Sequence, residues 1–396
     1  MVIHFIGIGG IGVSALARYY LEKGHEVSGS DLVASEITES LKEKGAKLLI
    51  GKHKAKNLPK NAVLVIYSPA VSADNPELKE AREHKIKTLS YPKALGELTR
   101  QYFTIAVSGT HGKSTTTAMI GLLLTKAGLN PTVIVGTKVK EFDDSNLRMG
   151  GAPDTKYKIL NTKYLVVEAD EHFSSFLNYW PKIIVLTNIE ADHLDYYKNL
   201  NNILRTFRKY ISHLPQNGNL VANWDDKNTR RMLISNFQFL ISKQIPNPKF
   251  QIQKYSLKQT EARRLKKILK IPGEHNIANA LAALAVGRAL KIPDKISFKA
   301  LSEYRGSWRR FEITKPVFLT AKGGSARKTI ISDYGHHPTE VKATLKAARE
   351  KYPKKKIWCV FQPHQYQRTY YLFDDFVNVF RQASVEKLII TDIYDV

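Results

Sequence analysis

The residues in this chain best suited to chemistry begin at Gly109-Thr110-His111-Gly112-Lys113-Ser114-Thr115. A glycine-rich turn that opens a helix aims several free N–H groups at one point. The helix dipole adds positive potential there, so the turn suits an anion. Lys113 offers a point charge for the β- and γ-phosphates of a nucleoside triphosphate such as ATP, and Ser114 a hydroxyl for Mg2+. The strict phosphate-loop pattern has a glycine where this chain has Val107. That shortens the loop but removes none of these parts.

A phosphoryl-transfer site also needs hard ligands for its metal. The apolar run "YLVVEADE" ends in Glu168, Asp170 and Glu171, and "IIVLTNIEADHLD" ends in Glu190, Asp192, His193 and Asp195. Residues at strand C-termini face the crevice where ligands bind in open α/β sheets, so these acids read as ligands. His193, beside Asp192, joins them as a metal ligand. An earlier glycine turn, Gly7-Ile8-Gly9-Gly10-Ile11-Gly12, follows a strand and precedes a helix, with Asp31 nineteen residues further on. Such a turn admits a pyrophosphate. A dinucleotide with Asp31 on its ribose, a UDP-sugar on the same geometry, and a tight packing turn all remain open on this motif alone.

Three segments must position these groups. Each opens with an apolar run, a turn and a helix-like pattern, and short strands alternating with helices predict parallel α/β sheets. Val2–Ile6 reads as a buried strand and Val13–Lys23 as a helix. Phe103–Val107 reads as the strand before the second turn, with a helix from Ser114 to near Gly128. The third segment, from "RRFEI", carries three strands and two helices. The expected division is 1–98, 99–307 and 308–396. The chain stops at Val396 directly after a strand, so the third unit is expected to be incomplete, with an open sheet edge.

Composition narrows the classes. No window approaches the about 18–20 continuous apolar residues of a membrane span. The start lacks the basic flank of a signal peptide. One cysteine, Cys359, excludes an internal disulfide and fits a reducing, cytoplasmic setting. The formal net charge of +25 is spread along the chain, with a local cluster in "EARRLKKILK". Without zinc-finger spacing, an RNP-type motif or a basic tail, it reads as solvated surface, and no nucleic-acid partner is expected.

Taken in order, "HFIGIGGIGVSALA", "SPAVSADNPEL", "SGTHGKSTTT", "EADEHFSSFL", "TNIEADHLDYY", "GEHNIANALAA", "RRFE", "DYGHHPTEV" and "PHQYQRT" resemble the Mur ligase family over the whole chain. The closest likeness is to the branch that adds the first amino acid. The resemblance implies three units: a Rossmann-like UDP-binding domain, a P-loop-like ATP-binding domain, and a Rossmann-like domain that delivers the amino acid. It implies ATP-dependent ligation of L-alanine to the lactyl carboxylate of UDP-N-acetylmuramate, a step of peptidoglycan precursor synthesis. The carboxylate would attack the γ-phosphorus of ATP, giving an acyl phosphate that the alanine amine then opens.

By the same resemblance, Lys113 would bind the ATP phosphates within the turn Gly109–Thr115, while Ser114, Glu168 and His193 would serve the metal. Asn276 and Asn279 would hold the ATP side, with His275 near adenine, and Arg310 and Asp333 would reach ATP from the third unit. Gly9, Gly10, Ile11, Gly12, Asp31 and Ser68 would hold the UDP-sugar. Tyr334, His336, His364 and Arg368 would line the alanine pocket. His336 would take the amine's proton, since free imidazole titrates near working pH.

Two positions depart from the family. Its amino-acid loop usually reads P-H-R-Y-x-R, but Gln365 replaces the first arginine. "EADEHF" has His172-Phe173 where Ser-Asp is commoner, which makes His172 a candidate for an extra metal or substrate contact. The tripeptide-recycling ligase of the family is the nearest rival, but "DYGHHP" and "PHQYQRT" fit the alanine-adding branch better. A catalytically weak nucleotide binder would not need Lys113, Glu168 and His193 together, and a dehydrogenase would leave the second turn idle.

Overall fold

The computed structural model describes residues 1–152, 163–242, 250–314, 317–321 and 324–395. The first sheet contains β1 (Val2–Ile6), β2 (Glu26–Asp31), β3 (Lys47–Ile50), β4 (Ala62–Tyr67) and β5 (Lys87–Ser90). All five run parallel in the order β3-β2-β1-β4-β5. The order reverses beside β1, which opens a crevice at the strand C-termini. Ile6 pairs with Ser30 and with Tyr67. The first glycine turn, Asp31 and Ser68 therefore leave the sheet on one edge.

The second sheet holds β6 (Phe103–Ser108), β7 (Thr132–Val139), β8 (Ser145–Arg148), β9 (Tyr164–Glu168), β10 (Ile183–Leu186), β11 (Asn219–Asn223) and β12 (Gln251–Tyr255). Their order is β12-β11-β10-β6-β9-β7-β8, and only β8 is antiparallel to its neighbour. β6 lies between β10 and β9, with Ser108 beside Leu186 and Val107 beside Glu168. That register brings the second turn and both acidic strand ends to one place. β10 is buried throughout because helices cover both faces, which is why it reads as an unbroken apolar run. Helix Lys113–Lys126 is also buried nearly all round and packs against helix Glu274–Ala289. Each fully buried leucine there, such as Leu123, contributes about 1.5–3 kcal/mol.

The third unit pairs β13 (Glu312–Ile313) with β16 (Ile331–Ser332), β14 (Val317–Ala321) with β15 (Gly324–Lys328), and β17 (Trp358–Phe361) with β18 (Lys387–Ile390). The sequence reading recovers β16, β17 and β18 but not β13 or the β14–β15 hairpin. Helix Pro338–Lys351 is followed by Tyr366–Tyr371 and Phe373–Gln382, two helices separated at Leu372. Val341, Phe361, Leu372 and Phe376 form a small core.

The segment joining the second and third units is fastened to β7. Ser307 bridges Val139, the Trp308 N–H donates to the Lys138 carbonyl at 2.9 Å, and the Thr137 hydroxyl donates to the Trp308 carbonyl at 2.9 Å. Arg309 (φ 53°) and Phe311 (φ 49°) then take left-handed conformations. Such conformations cost about 1–3 kcal/mol each in a non-glycine residue. Among the described residues, no helix is long and apolar enough to cross a membrane.

Candidate active site

The turn after β6 ends at Gly112, the N-cap of helix Lys113–Lys126, with φ 79°. A Cβ at this position would sit 2.5 Å from Asn279 Oδ1, so both backbone angle and space require glycine. The Lys113 ammonium curls back onto its own turn. It donates to the carbonyls of Gly109 (2.8 Å) and Thr110 (3.2 Å) and to the Glu171 carboxylate (3.0 Å). Burial alone would lower its pKa, but Glu171, Asp170 and Glu168 outweigh that and hold it charged. Burial and Asp170 in turn push Glu171 up to about 7 despite Lys113.

Glu168, at the end of β9, accepts from the Ser114 hydroxyl (3.0 Å) and from the Gly136 N–H of β7 (2.7 Å). Asp170, Glu171 and His193 present ligand atoms within 4.8 Å of one another. Burial lowers His193 to about 4, leaving a neutral imidazole with a lone pair to offer. His172 stacks its ring on His193, 4.0 Å away and 13° from parallel. The parallel stack supports the His193 ring and does not aim both imidazoles at one point.

The residues assigned to the alanine pocket do assemble. Tyr334 meets His336 and His364 edge to face, and the three ring centroids lie 5.1–6.0 Å apart. The His336 Nδ1–H donates to the Tyr334 carbonyl at 3.0 Å, so Nε2 keeps its lone pair. Burial lowers His336 to about 4, not the near-neutral value expected from free imidazole. It is therefore deprotonated throughout the working range. Arg368 lines the same cleft as these rings and is also held from the second unit. Its guanidinium donates to Asp192 at 3.0 and 3.4 Å, forming a buried pair between the third and second units. Gln365 stands at the rim with φ 72°.

Lys113, Glu168 and His193 line one cleft of about 480 Å³ with His336, Gln365 and Arg368. A neighbouring cavity of about 190 Å³ takes in Thr115, His275, Asn276, Asn279, Arg310 and Asp333. Within it the Asn276 amide donates to the Pro272 carbonyl, and the Asp333 carboxylate accepts from the N–H groups of Phe311 and Gly335. Asp333 thus shapes the loop that carries Arg310 as well as facing the cavity. At the first turn, Asp31 Oδ2 accepts the Gly9 N–H at 2.7 Å, so this carboxylate fastens the turn. Gly10, the N-cap of helix Ile11–Glu22, and Ser68, packed under Gly7, complete that edge.

Sequence reasoning missed a joint formed by His111, Glu190, His337 and Glu340. The His111 ring lies 3.5 Å from Glu190 and 3.3 Å from Glu340, with the His337 ring 4.6 Å away. The Thr339 hydroxyl donates to Glu190 at 2.6 Å. The only signal was Glu340 three residues after His337, the spacing of a capping box, which the structure contains. His111, Glu190 and His337 have metal-compatible spacing. A protonated His111 between two carboxylates accounts for the charges without a metal.

Burial lowers His111, but Glu340 and Glu190 raise it further, to about 9 from 6.5. A histidine raised in the folded state contributes its full stability below pH 6.5, and that contribution disappears as pH rises through 9. Because Glu340 belongs to the third unit, docking of that unit weakens over this window. The scattering radius of gyration should increase between about pH 7 and 9.5, and His111→Gln should abolish the pH dependence. An unchanged profile in the variant would assign the effect elsewhere.

Three α/β units, a glycine turn suited to an anion and facing carboxylates define the class of multidomain α/β enzymes. The chain's residues 2–103 match the "Mur ligase family, catalytic domain" model, 107–287 the "Mur ligase middle domain", and 309–394 the "Mur ligase, glutamate ligase domain". This chain belongs to the Mur ligase family, whose members are ATP-dependent ligases. It is 41% identical over 403 residues to the UDP-N-acetylmuramate–L-alanine ligase of Clostridium botulinum (strain Okra / Type B1), covering 99% of this chain and 83% of the relative. The Aquifex aeolicus (strain VF5) enzyme of that name is 41% identical, with the same coverage. The crystal structure of the UDP-N-acetylmuramate–alanine ligase from Thermotoga maritima superposes with a TM-score of 0.77 at 28% identity, covering 100% of this chain and 86% of the other. A murein peptide ligase from Psychrobacter arcticus shares the fold (TM-score 0.71, 22% identity, 99% and 91% covered).

Proposed function

We propose that this chain joins L-alanine to the lactyl carboxylate of UDP-N-acetylmuramate at the expense of ATP, in the cytoplasm. What carries the reading is the single cleft in which Lys113, Glu168 and His193 of the second unit meet His336, Gln365 and Arg368 of the third. The working division is 1–98 for the UDP-sugar, 99–307 for ATP and 308–396 for alanine delivery.

In this proposal Lys113 takes the β- and γ-phosphates and gives up its bonds to the Gly109 and Thr110 carbonyls. The Ser114 hydroxyl and the Glu168 carboxylate, 3.0 Å apart, are hard oxygen donors that would hold Mg2+, with the His193 imidazole on the same cleft as a third ligand. When bound, that ion supplies charge neutralisation at the transferring phosphoryl group. The lactyl carboxylate oxygen bonds to the γ-phosphorus as the bond to ADP breaks. The alanine nitrogen then bonds to the acyl carbon, phosphate leaves, and His336 Nε2 accepts the amine's proton. Because His336 titrates at about 4, its own protonation state does not change across neutrality.

The test is phosphate release from ATP that requires UDP-N-acetylmuramate and L-alanine together. Release supported by a tripeptide but not by alanine would replace this reading. Gln365→Arg should lower the KM for L-alanine roughly tenfold, since a charge-assisted bond is about twice as strong as a neutral one. An unchanged KM would remove Gln365 from the alanine site.

A further inference from the structure

A further cavity, of about 440 Å³, opens between the first and second units and shares only Ile11 with the 480 Å³ cleft described above. Two charged side chains on its walls are incompletely satisfied. Arg18, on helix Ile11–Glu22, is 7% exposed, and its Nε has no hydrogen-bond partner. No described residue pairs with its guanidinium, and only burial perturbs it. Glu141, on the short turn Lys140–Phe142, has a side chain 9% exposed. Arg305 occupies its Oε1, while Oε2 is buried and without a partner. Burying a guanidinium with no counter-ion is costly, and an unfilled carboxylate oxygen adds to that cost.

The surrounding charges select the ligand. Lys138 is taken up by Glu36 at 3.0 Å and by the Trp308 ring, and Arg148 by the Pro131 carbonyl and the Asn130 side chain. Asp143 and Asp144 line the same cavity and add negative charge. A phosphate or other polyanion would meet these acids. A molecule with one carboxylate and one ammonium would offer a partner to each of Arg18 and Glu141, and both residues line this one cavity. We infer that this cavity binds a short peptide with free termini, its carboxylate on the Arg18 guanidinium and its ammonium on the Glu141 carboxylate, which turns Oε2 out of its present buried position to meet it. Such a ligand would span the first and second units.

Calorimetric titration of the full chain with glycylglycine and with L-alanyl-L-alanine tests this. N-acetylglycine, glycinamide and inorganic phosphate serve as probes carrying only one kind of charge. Saturable binding of a dipeptide is expected, weakened at least tenfold in Arg18→Gln and in Glu141→Gln and largely retained in Arg18→Lys. The single-charge probes should bind at least tenfold more weakly than the dipeptide. Circular dichroism of each variant separates lost binding from lost folding, and the phosphate-release rate should be unchanged because neither residue lines the main cleft. Three results would each overturn the assignment: no dipeptide binding by the wild-type chain, equal binding by a folded Arg18→Gln variant, or phosphate binding more tightly than either dipeptide.

Discussion

Lys113→Met should reduce substrate-dependent phosphate release about a thousand-fold, the upper range for removing one preorganised electrostatic donor. Lys113 is the only lysine lining the cleft among the described residues, and it is held charged by Glu171, Asp170 and Glu168. A loss below tenfold would show that the phosphates lie elsewhere. The same substitution has a second signature, in stability. Breaking a buried ion pair commonly costs about 3–5 kcal/mol because a charge is left unpaired. Here Glu171 already titrates at about 7, above its ordinary 4.5, and can become neutral by taking up a proton. A carboxyl raised in the folded state destabilises increasingly as pH climbs from 4.5 through its folded value, and loss of Lys113 raises that value further. The melting-temperature deficit of the variant should therefore be small at pH 6 and grow toward pH 9. A deficit independent of pH would mean that the ammonium does not control Glu171.

The other large effect concerns Arg368 and Asp192. Both are more than nine-tenths buried, and their attraction crosses from the third unit to the second. Arg368→Ala should lower kcat/KM for L-alanine about a hundredfold, equivalent to about 3 kcal/mol and within the range for truncating one partner of a buried charged pair. It should also loosen the third unit, which scattering would report as a larger radius of gyration. Asp192→Asn retains an acceptor for the His193 N–H, which now donates to Asp192 Oδ1 at 2.8 Å, and removes only the charge. Combined with Arg368→Ala, it leaves neither charge stranded. The double variant should therefore dock better than Arg368→Ala alone. Strictly additive losses would show that the pair does not join the two units.

Much of this site was legible because strand ends in parallel sheets point one way. The acids after β9 and β10 and the turn after β6 could be grouped from their apolar lead-ins alone, and the register places them on one edge. The conformations of individual side chains were not legible. Nothing in the spelling of Asp31 says that its carboxylate will turn back to the Gly9 N–H, or that Arg368 will spend its charge on Asp192. Those outcomes depend on which oppositely charged group folding brings within reach. β7 and the β14–β15 hairpin escaped notice because neither segment follows the strand-turn-helix rhythm used to find the rest. The His111 joint escaped because it exists only when two distant segments meet.

β7 has two attachments. Its Gly136 N–H grips Glu168, and Thr137, Lys138 and Val139 secure the root of the third unit within the next few residues. The left-handed residues Arg309 and Phe311 lie just beyond that root. They provide a fulcrum next to the reacting groups, with the bulk of the unit as the lever arm. Rotation about them would carry His336 and Arg368 through a wide arc while leaving the carboxylate end of the cleft still. Such a swing would leave the turn after β6 and its contacts with Glu168 and Glu171 intact.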